Sequence, residues 1–416
     1  MSETKQQPTA KRGWLAKVRE AALVPALAVF TGLLIGAIVI IVSDADVIAA
    51  YGNFFSDPLK ALALTWNSIA TAYGALFVGS FGSFDRLVEG ISVFFSTGET
   101  RELLRAIYPF TESLVTATPY IFTGLSVAIG FRAGLFNIGA EGQFFIGALC
   151  SAYVGYSIVG LPAFIHLPLA LLAGAAGGAF WGAIPGYLKA KFGAHEVVNT
   201  IMMNWIAFRL SDWLLTGPMK ASGFRPVTPN VEHTAELPRL FADPLRFNWG
   251  FILALVVAAL VWWLLFKTTI GFELRSVGNN PDGAKYAGMS ITRNIVLVMT
   301  LAGGLAGLAG SAQVLGVDHW VGQGFSAGYG FDSIALALLG KNHPLGVVVA
   351  ALLFGFLRSG ATRMQSMAGI PIDIISVIQG LVIIFVAAPA IIRWIYRIKV
   401  KNADSDATVL TRGWGK

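Results

Sequence analysis

The stretch "FRAGLFNIGAEGQFFIGAL", Phe131–Leu149, decides how this chain is read. It sets Arg132, Asn137, Glu141 and Gln143 inside a run that otherwise reads as membrane-embedded, with glycine at 134, 139 and 142. A carboxylate and two amides in such a run need partners or water, because an unsatisfied polar group in hydrocarbon costs several kcal/mol.

The surroundings of that stretch are a membrane protein. Of 416 residues, 55% are hydrophobic and 13% are charged. A soluble domain carries about a quarter charged residues. Mean hydropathy is +0.67, and several apolar runs exceed the roughly 18 residues that cross a bilayer. The 47 glycines suit helices that approach backbone to backbone in lipid. One cysteine, Cys150, excludes an intrachain disulfide framework or cysteine-based metal site, and it reads as a small packing residue. The net charge of +7 falls at the ends of apolar segments, the pattern of membrane orientation rather than of nucleic-acid binding.

Ten spans are expected, near 21–43, 112–131, 134–158, 163–187, 197–216, 249–266, 294–316, 328–341, 345–360 and 372–395. The eighth and ninth are short and joined by "GKNHPLG" (Gly340–Gly346), as half-helices or one broken element would be. Residues 1–20 form a cytoplasmic N-terminal tail and 398–416 a cytoplasmic C-terminal tail. Residues 21–111 hold the first helix and a long external segment, and 112–397 form the main transmembrane domain. Lys and Arg concentrate in segments that this arrangement places inside. Within the external segment, "WNSIATAYGALFVGSFGSF" (Trp66–Phe84) reads as an interfacial helix, a re-entrant segment or a pair of short spans. The proline-rich Thr216–Gly250 segment reads as an external loop placed to meet a partner.

The loop at 267–293 carries a helix start. Asn280 suits the cap, Pro281 the first helical position and Asp282 the first turn, and Ala284 and Ala287 continue to a stop at Gly288. About two turns of helix alone in a polar loop are marginal, so this helix needs a surface to dock on.

"GLFNIGAEGQFFIGA" (Gly134–Ala148) and "GYGFDSIALALLG" (Gly328–Gly340) echo each other. So, more weakly, do "FGAHEVVNTIMMNWIAF" (Phe192–Phe208) and "AGIPIDIISVIQGLVIIF" (Ala368–Phe385). The fold class expected is therefore an all-α polytopic membrane protein, about ten helices in two inverted halves, with its pathway where the halves meet. Candidate pathway residues are Asn137, Glu141, Gln143, Asn199, Asn204 and Asp332; Asp373 and Gln379 are further polar residues within spans. The alternative for each is an interhelical hydrogen bond, with the two readings evenly balanced for Glu141. "HEVVN" (His195–Asn199) misses the zinc-protease pattern because Asn199 replaces the second histidine. No phosphate-binding P-loop occurs, so energy from ATP has to enter through another chain.

"FRAGLFNIGAEGQFFIGAL", "HEVVNTIMMNWIAF" and "GFELRSVGNNPDGAKYAGMSITRNIVLVMTLAGGLAGLAG" (Gly271–Gly310) resemble the permeases of bacterial ABC importers in the ribose/branched-chain amino acid permease superfamily. More narrowly they resemble the larger permease of nucleoside importers served by basic-membrane-protein-type lipoproteins. The resemblance implies a transport subunit without enzymatic activity or cofactor of its own, in the bacterial inner membrane. It implies a second permease subunit, cytoplasmic ATP-binding subunits holding ATP and Mg, and an external substrate-binding lipoprotein. Asn280, Pro281, Asp282, Ala284, Ala287 and Gly288 would be the helix that couples to the ATPase. A simple-sugar importer of the same fold, and an ion-coupled secondary transporter using Glu141 and Asp332, are the alternatives.

Overall fold

A computed structural model describes residues 14–398. The tails expected at 1–20 and 398–416 lie outside that range except at their inner edges. The chain opens with α1 (Trp14–Ser43), α2 (Ala45–Gly52), α3 (Pro58–Phe81), α4 (Phe84–Thr97) and α5 (Arg101–Arg132). It continues with α6 (Ala140–Ser157), α7 (Ala163–Phe192), α8 (Glu196–Thr216), α9 (Trp249–Lys267), α10 (Thr269–Asn279) and α11 (Pro281–Tyr286). It closes with α12 (Ile291–Gln313), α13 (Tyr329–Leu339), α14 (Pro344–Ala368), α15 (Ile372–Ala387) and α16 (Pro389–Ile395).

Local chemistry sets many of these boundaries. Asp44, Asp57, Asn248, Thr268 and Ser290 each accept a backbone N–H at a helix start. Gly193 and Gly369 end α7 and α14 in the left-handed conformation, where L side chains are strained.

Every one of the ten expected segments is helical. Among the described residues, seven helices are long and apolar enough to cross a membrane, or eight if Asp373–Phe385 and Pro389–Ile395, bent by 88°, count as one broken span. The seven include Pro58–Thr97, which covers α3 and α4 in the segment read from sequence as external. There α3 lies against α14 and α1. Two expected segments, α6 and α8, are too polar to count among the seven, although most of α6 is buried. A helix surrounded by protein need not be lipid-like. At 11 residues, α13 is about 16 Å long, half a bilayer core.

The main core forms around α5, α6, α7 and α12. Glycine makes it possible: a Cβ on Gly307 would lie 2.3 Å from the Gly174 carbonyl, and one on Gly178 2.3 Å from the Gly303 carbonyl. At these crossings the backbones touch with no room for a methyl group. A second, smaller core joins α1, α3, α14 and α15 through Ile40, Ala72, Ala361, Met364 and Ile378.

The segment between α8 and α9 is bound tightly to helix ends rather than looping free. The Thr228, Val231 and Leu237 amides donate to the carbonyls of Val321, His319 and Leu315 at 2.8–2.9 Å. Buried His166 meets Thr234 Oγ1 at 2.7 Å, and Arg246 forms an ion pair with Glu112.

Candidate functional site

The short helix α13 is held at both ends. At its start, Glu141 Oε2 accepts the Gly330 amide at 2.6 Å and Oε1 accepts the Ser326 hydroxyl at 2.5 Å. A carboxylate there satisfies an orphan N–H and opposes the positive end of the helix dipole. At its other end, Arg132 Nε donates to the Asn342 carbonyl at 2.9 Å and Nη2 to the Lys341 carbonyl at 3.3 Å. Lys341 and Asn342 sit at φ 52° and 53°, so this turn carries left-handed backbone in two non-glycine residues.

The two echoing stretches therefore meet in space. The first turn of α6 abuts the first turn of α13 so closely that a Cβ on Gly330 would fall 2.3 Å from the Glu141 nitrogen. Glu141, 3% exposed, stands about ten residues of helix, some 15 Å, from the Gly340 end of α13. Arg132 is the marker of that end.

Beside it is an amide node. Asn137 Nδ2 donates to Gln143 Oε1 at 2.9 Å, and Gln143 Nε2 donates back to Asn137 Oδ1 at 3.1 Å. Asn137 Oδ1 also accepts the Gly139 amide. Asn204 on α8 ties the same bend to its own helix: it accepts the Gly142 amide at 2.8 Å and donates to the Ile138 carbonyl at 3.0 Å. All three amides are at most 2% exposed. Asn199, one turn earlier on α8, is half-buried, and its Nδ2 has no hydrogen-bond partner among the described residues. Glu196 accepts from Lys189 Nζ at 2.5 Å, and Asp373 is exposed where a buried polar residue was expected.

Asp332, on the first turn of α13, has other neighbours. Its Oδ2 accepts the Tyr120 hydroxyl at 2.8 Å and lies 3.4 Å from Arg358 Nη1. Arg358 also donates to the Tyr120 oxygen at 2.9 Å and stands 5.7 Å from the Tyr329 ring. About a third of each charged side chain is open, 29% for Asp332 and 33% for Arg358. Of the expected pathway residues Asn137, Glu141, Gln143 and Asn204 meet around one bend, and Asp332 stands on the helix that Glu141 caps. The sequence reading did not include Arg358.

The coupling-type loop adopts the expected local form. Asn280 Oδ1 accepts the Gly283 amide at 3.0 Å, Pro281 is the first helical residue and Asp282 lies in the first turn. Ala287 caps the end and Gly288 follows at φ 83°. Ala284 is buried, whereas the rest of 279–288 is exposed, Tyr286 to 97%. Ahead of it α10 was not expected. Its buried residues Gly271, Leu274 and Val277 repeat every third position after the Thr268 cap, a helical signal present in the sequence.

Residues 110–387 match the model of the family described as branched-chain amino acid transport system / permease component. The chain belongs to that family. The permease is 38% identical to a guanosine ABC transporter permease protein of Bacillus subtilis, over 92% of this chain and 98% of that one. It is 37% identical to a nucleoside ABC transporter permease protein of Lactococcus lactis, over 68% and 79%. It is 36% identical to a glucose ABC transporter permease protein of Haloferax volcanii, over 74% and 84%. No solved structure matches it.

Proposed function

We propose that this permease forms the translocation pathway of an ATP-driven importer for nucleosides. The observation that carries the solute is the end-to-end similarity to the guanosine permease. The similarity to the glucose permease keeps a simple sugar as the second reading, and the two solute classes share a polyhydroxylated ring. In this reading a second permease subunit completes the pathway, cytoplasmic ATP-binding subunits hold ATP and Mg, and an external lipoprotein delivers solute. The termini and the 267–293 loop then face the cytoplasm of a bacterial cell.

Within the pathway, Asp332 and Arg358 are the solute-facing pair. Their partial exposure and their charge, joined to Tyr120, suit hydroxyl and nucleobase edges. Asn137, Glu141, Gln143 and Asn204 frame the pathway by fixing the bend before α6, their polar atoms being engaged within the chain. Asn199 stands at the mouth beside that bend. The α11 helix with its flanking residues, Asn280 through Gly288, presents an exposed face for an ATPase groove.

Uptake of labelled guanosine into cells with and without this chain tests the solute. Competition by unlabelled uridine and guanosine but not by ribose or glucose is expected. Competition by glucose alone would move the assignment to the sugar reading.

A further inference from the structure

The loop that carries α11 does not simply hang from the membrane domain. Gly278, at the end of α10, is pressed against the turn that follows α5. A Cβ there would lie 2.6 Å from the Arg132 carbonyl oxygen and 2.6 Å from the Ala133 carbonyl carbon. From the other side, a Cβ on Gly134 (φ 71°) would lie 3.0 Å from the Gly278 oxygen. The two backbones are in direct contact, with no side chain between them to yield. Packed solids of this kind transmit displacement instead of absorbing it.

A ring reinforces the junction. Phe266, near the end of α9, has the Arg132 guanidinium 5.7 Å and the Arg275 guanidinium 5.1 Å from its centroid. It also stacks on His343 at 5.4 Å. Arg275 belongs to α10, Arg132 to α5 and His343 to the turn between α13 and α14, so three elements converge on one aromatic ring.

Resting on the import function proposed above, we infer that Arg132 and Gly278 are positioning residues of a relay that passes movement of α11 to α13. The relay runs from α11 through α10 to the Arg132–Gly134 turn. From there it reaches both ends of α13: Arg132 grips the carbonyls after it, and Glu141, six residues past Leu135 on the same bend, grips its first turn. A short helix gripped at both ends, carrying Asp332 on its face, shifts when those ends shift. Neither Arg132 nor Gly278 touches the solute; they act by placing α13.

The test reconstitutes the full chain with its companion permease and ATPase subunits in lipid vesicles, and reads solute taken up and ATP hydrolysed. Wild-type protein is measured first. If it takes up neither nucleoside nor sugar with ATP, the function reading itself has failed, before any variant is compared. Arg132→Gln removes the two directed N–H contacts, Arg132→Lys keeps the charge, and Gly278→Ala pries α10 from the turn. The relay predicts that solute moved per ATP falls on the order of fivefold or more in R132Q and G278A while hydrolysis persists, with R132K partly restored. An unchanged ratio in both variants overturns the relay, as does a parallel fall in uptake and hydrolysis. Should R132Q fail to assemble, Phe266→Leu, which keeps an apolar side chain but removes the stacking ring, carries the same comparison with G278A.

Discussion

Glu141 and Gly330 lie 189 positions apart in sequence and share one hydrogen bond, the Gly330 amide donating to the Glu141 carboxylate at 2.6 Å. That bond joins the start of α6 to the start of α13. It gives the unusual carboxylate of "GAEGQ" a structural partner: the chain's own backbone.

Removing that carboxylate is expected to cost stability. Glu141→Ala leaves a buried Gly330 N–H without an acceptor, at about 1–3 kcal/mol. Thermal unfolding of the purified protein in detergent reads the effect. Glu141→Gln, which retains one acceptor oxygen, should fall between wild type and alanine. An alanine variant as stable as wild type would show that the grip on α13 is idle.

The Asn204 bridge makes a separate expectation. Asn204→Leu orphans both the Gly142 amide and the Ile138 carbonyl in a buried place, and about 2 kcal/mol or more of destabilisation follows. Asn199→Leu, on the same helix, frees no bonded partner and should be milder. The same melts compare the two, and equal losses would contradict the bridge.

Glycine substitutions separate tight crossings from open ones. Gly307→Ala forces α12 off α7 and should cost about 1–3 kcal/mol, the range for overpacking. Gly74 in α3 has nothing within 4 Å of an added Cβ, so Gly74→Ala should be neutral or gain up to about 1 kcal/mol. A Gly307→Ala protein that melts with wild type would refute the close α7–α12 contact.

The charged pair predicts a transport phenotype. Asp332→Asn is expected to raise the KM for nucleoside about tenfold, the loss of one charge-assisted hydrogen bond, with ATP hydrolysis by the assembled complex retained. Uptake kinetics in reconstituted vesicles decide it, and an unchanged KM would take Asp332 off the solute's path.

The His343 turn predicts a pH dependence. Desolvation first, and then the Arg132 charge, hold the His343 pKa below its usual 6.5. The folded state thus binds fewer protons than the unfolded state as pH falls through that value. Stability from this turn is fully present above about pH 6.5 and declines below it. Melting profiles of wild type against His343→Gln between pH 7.5 and 5.5, roughly the range around an unperturbed histidine, should show wild type losing stability toward the acid end more steeply than the variant. A variant with the same acid sensitivity would contradict it.

Much of this was legible in the sequence because it is local. Asn280-Pro281-Asp282 announces its helix within three residues, and the capping bond to Gly283 formed as the residue types imply. Composition alone carries the all-helical membrane fold. The partners of Glu141 and Arg132 were not legible, since Gly330 and Asn342 are ordinary residues whose role arises only when distant helices pack. The α3–α4 region left three readings open, interfacial helix, re-entrant segment or two short spans, because Asp85, Arg86 and Glu89 dilute its hydropathy, while α3 itself is a long apolar helix against α14. Helix α10 was overlooked although Gly271, Leu274 and Val277 keep a three-residue spacing, because "FELRS" reads as polar loop.

In the proposed function this chain moves solute with energy supplied by ATP through partner subunits. Guanosine uptake into vesicles bearing the assembled complex measures it most directly, with ATP supplied on the side of the 267–293 loop and the ion gradients collapsed by an uncoupler. Uptake that requires ATP and is unchanged by the uncoupler is the expected result. Uptake that proceeds without ATP and vanishes with the uncoupler would contradict it, and would return Glu141 and Asp332 to the role of ion-coupling acids.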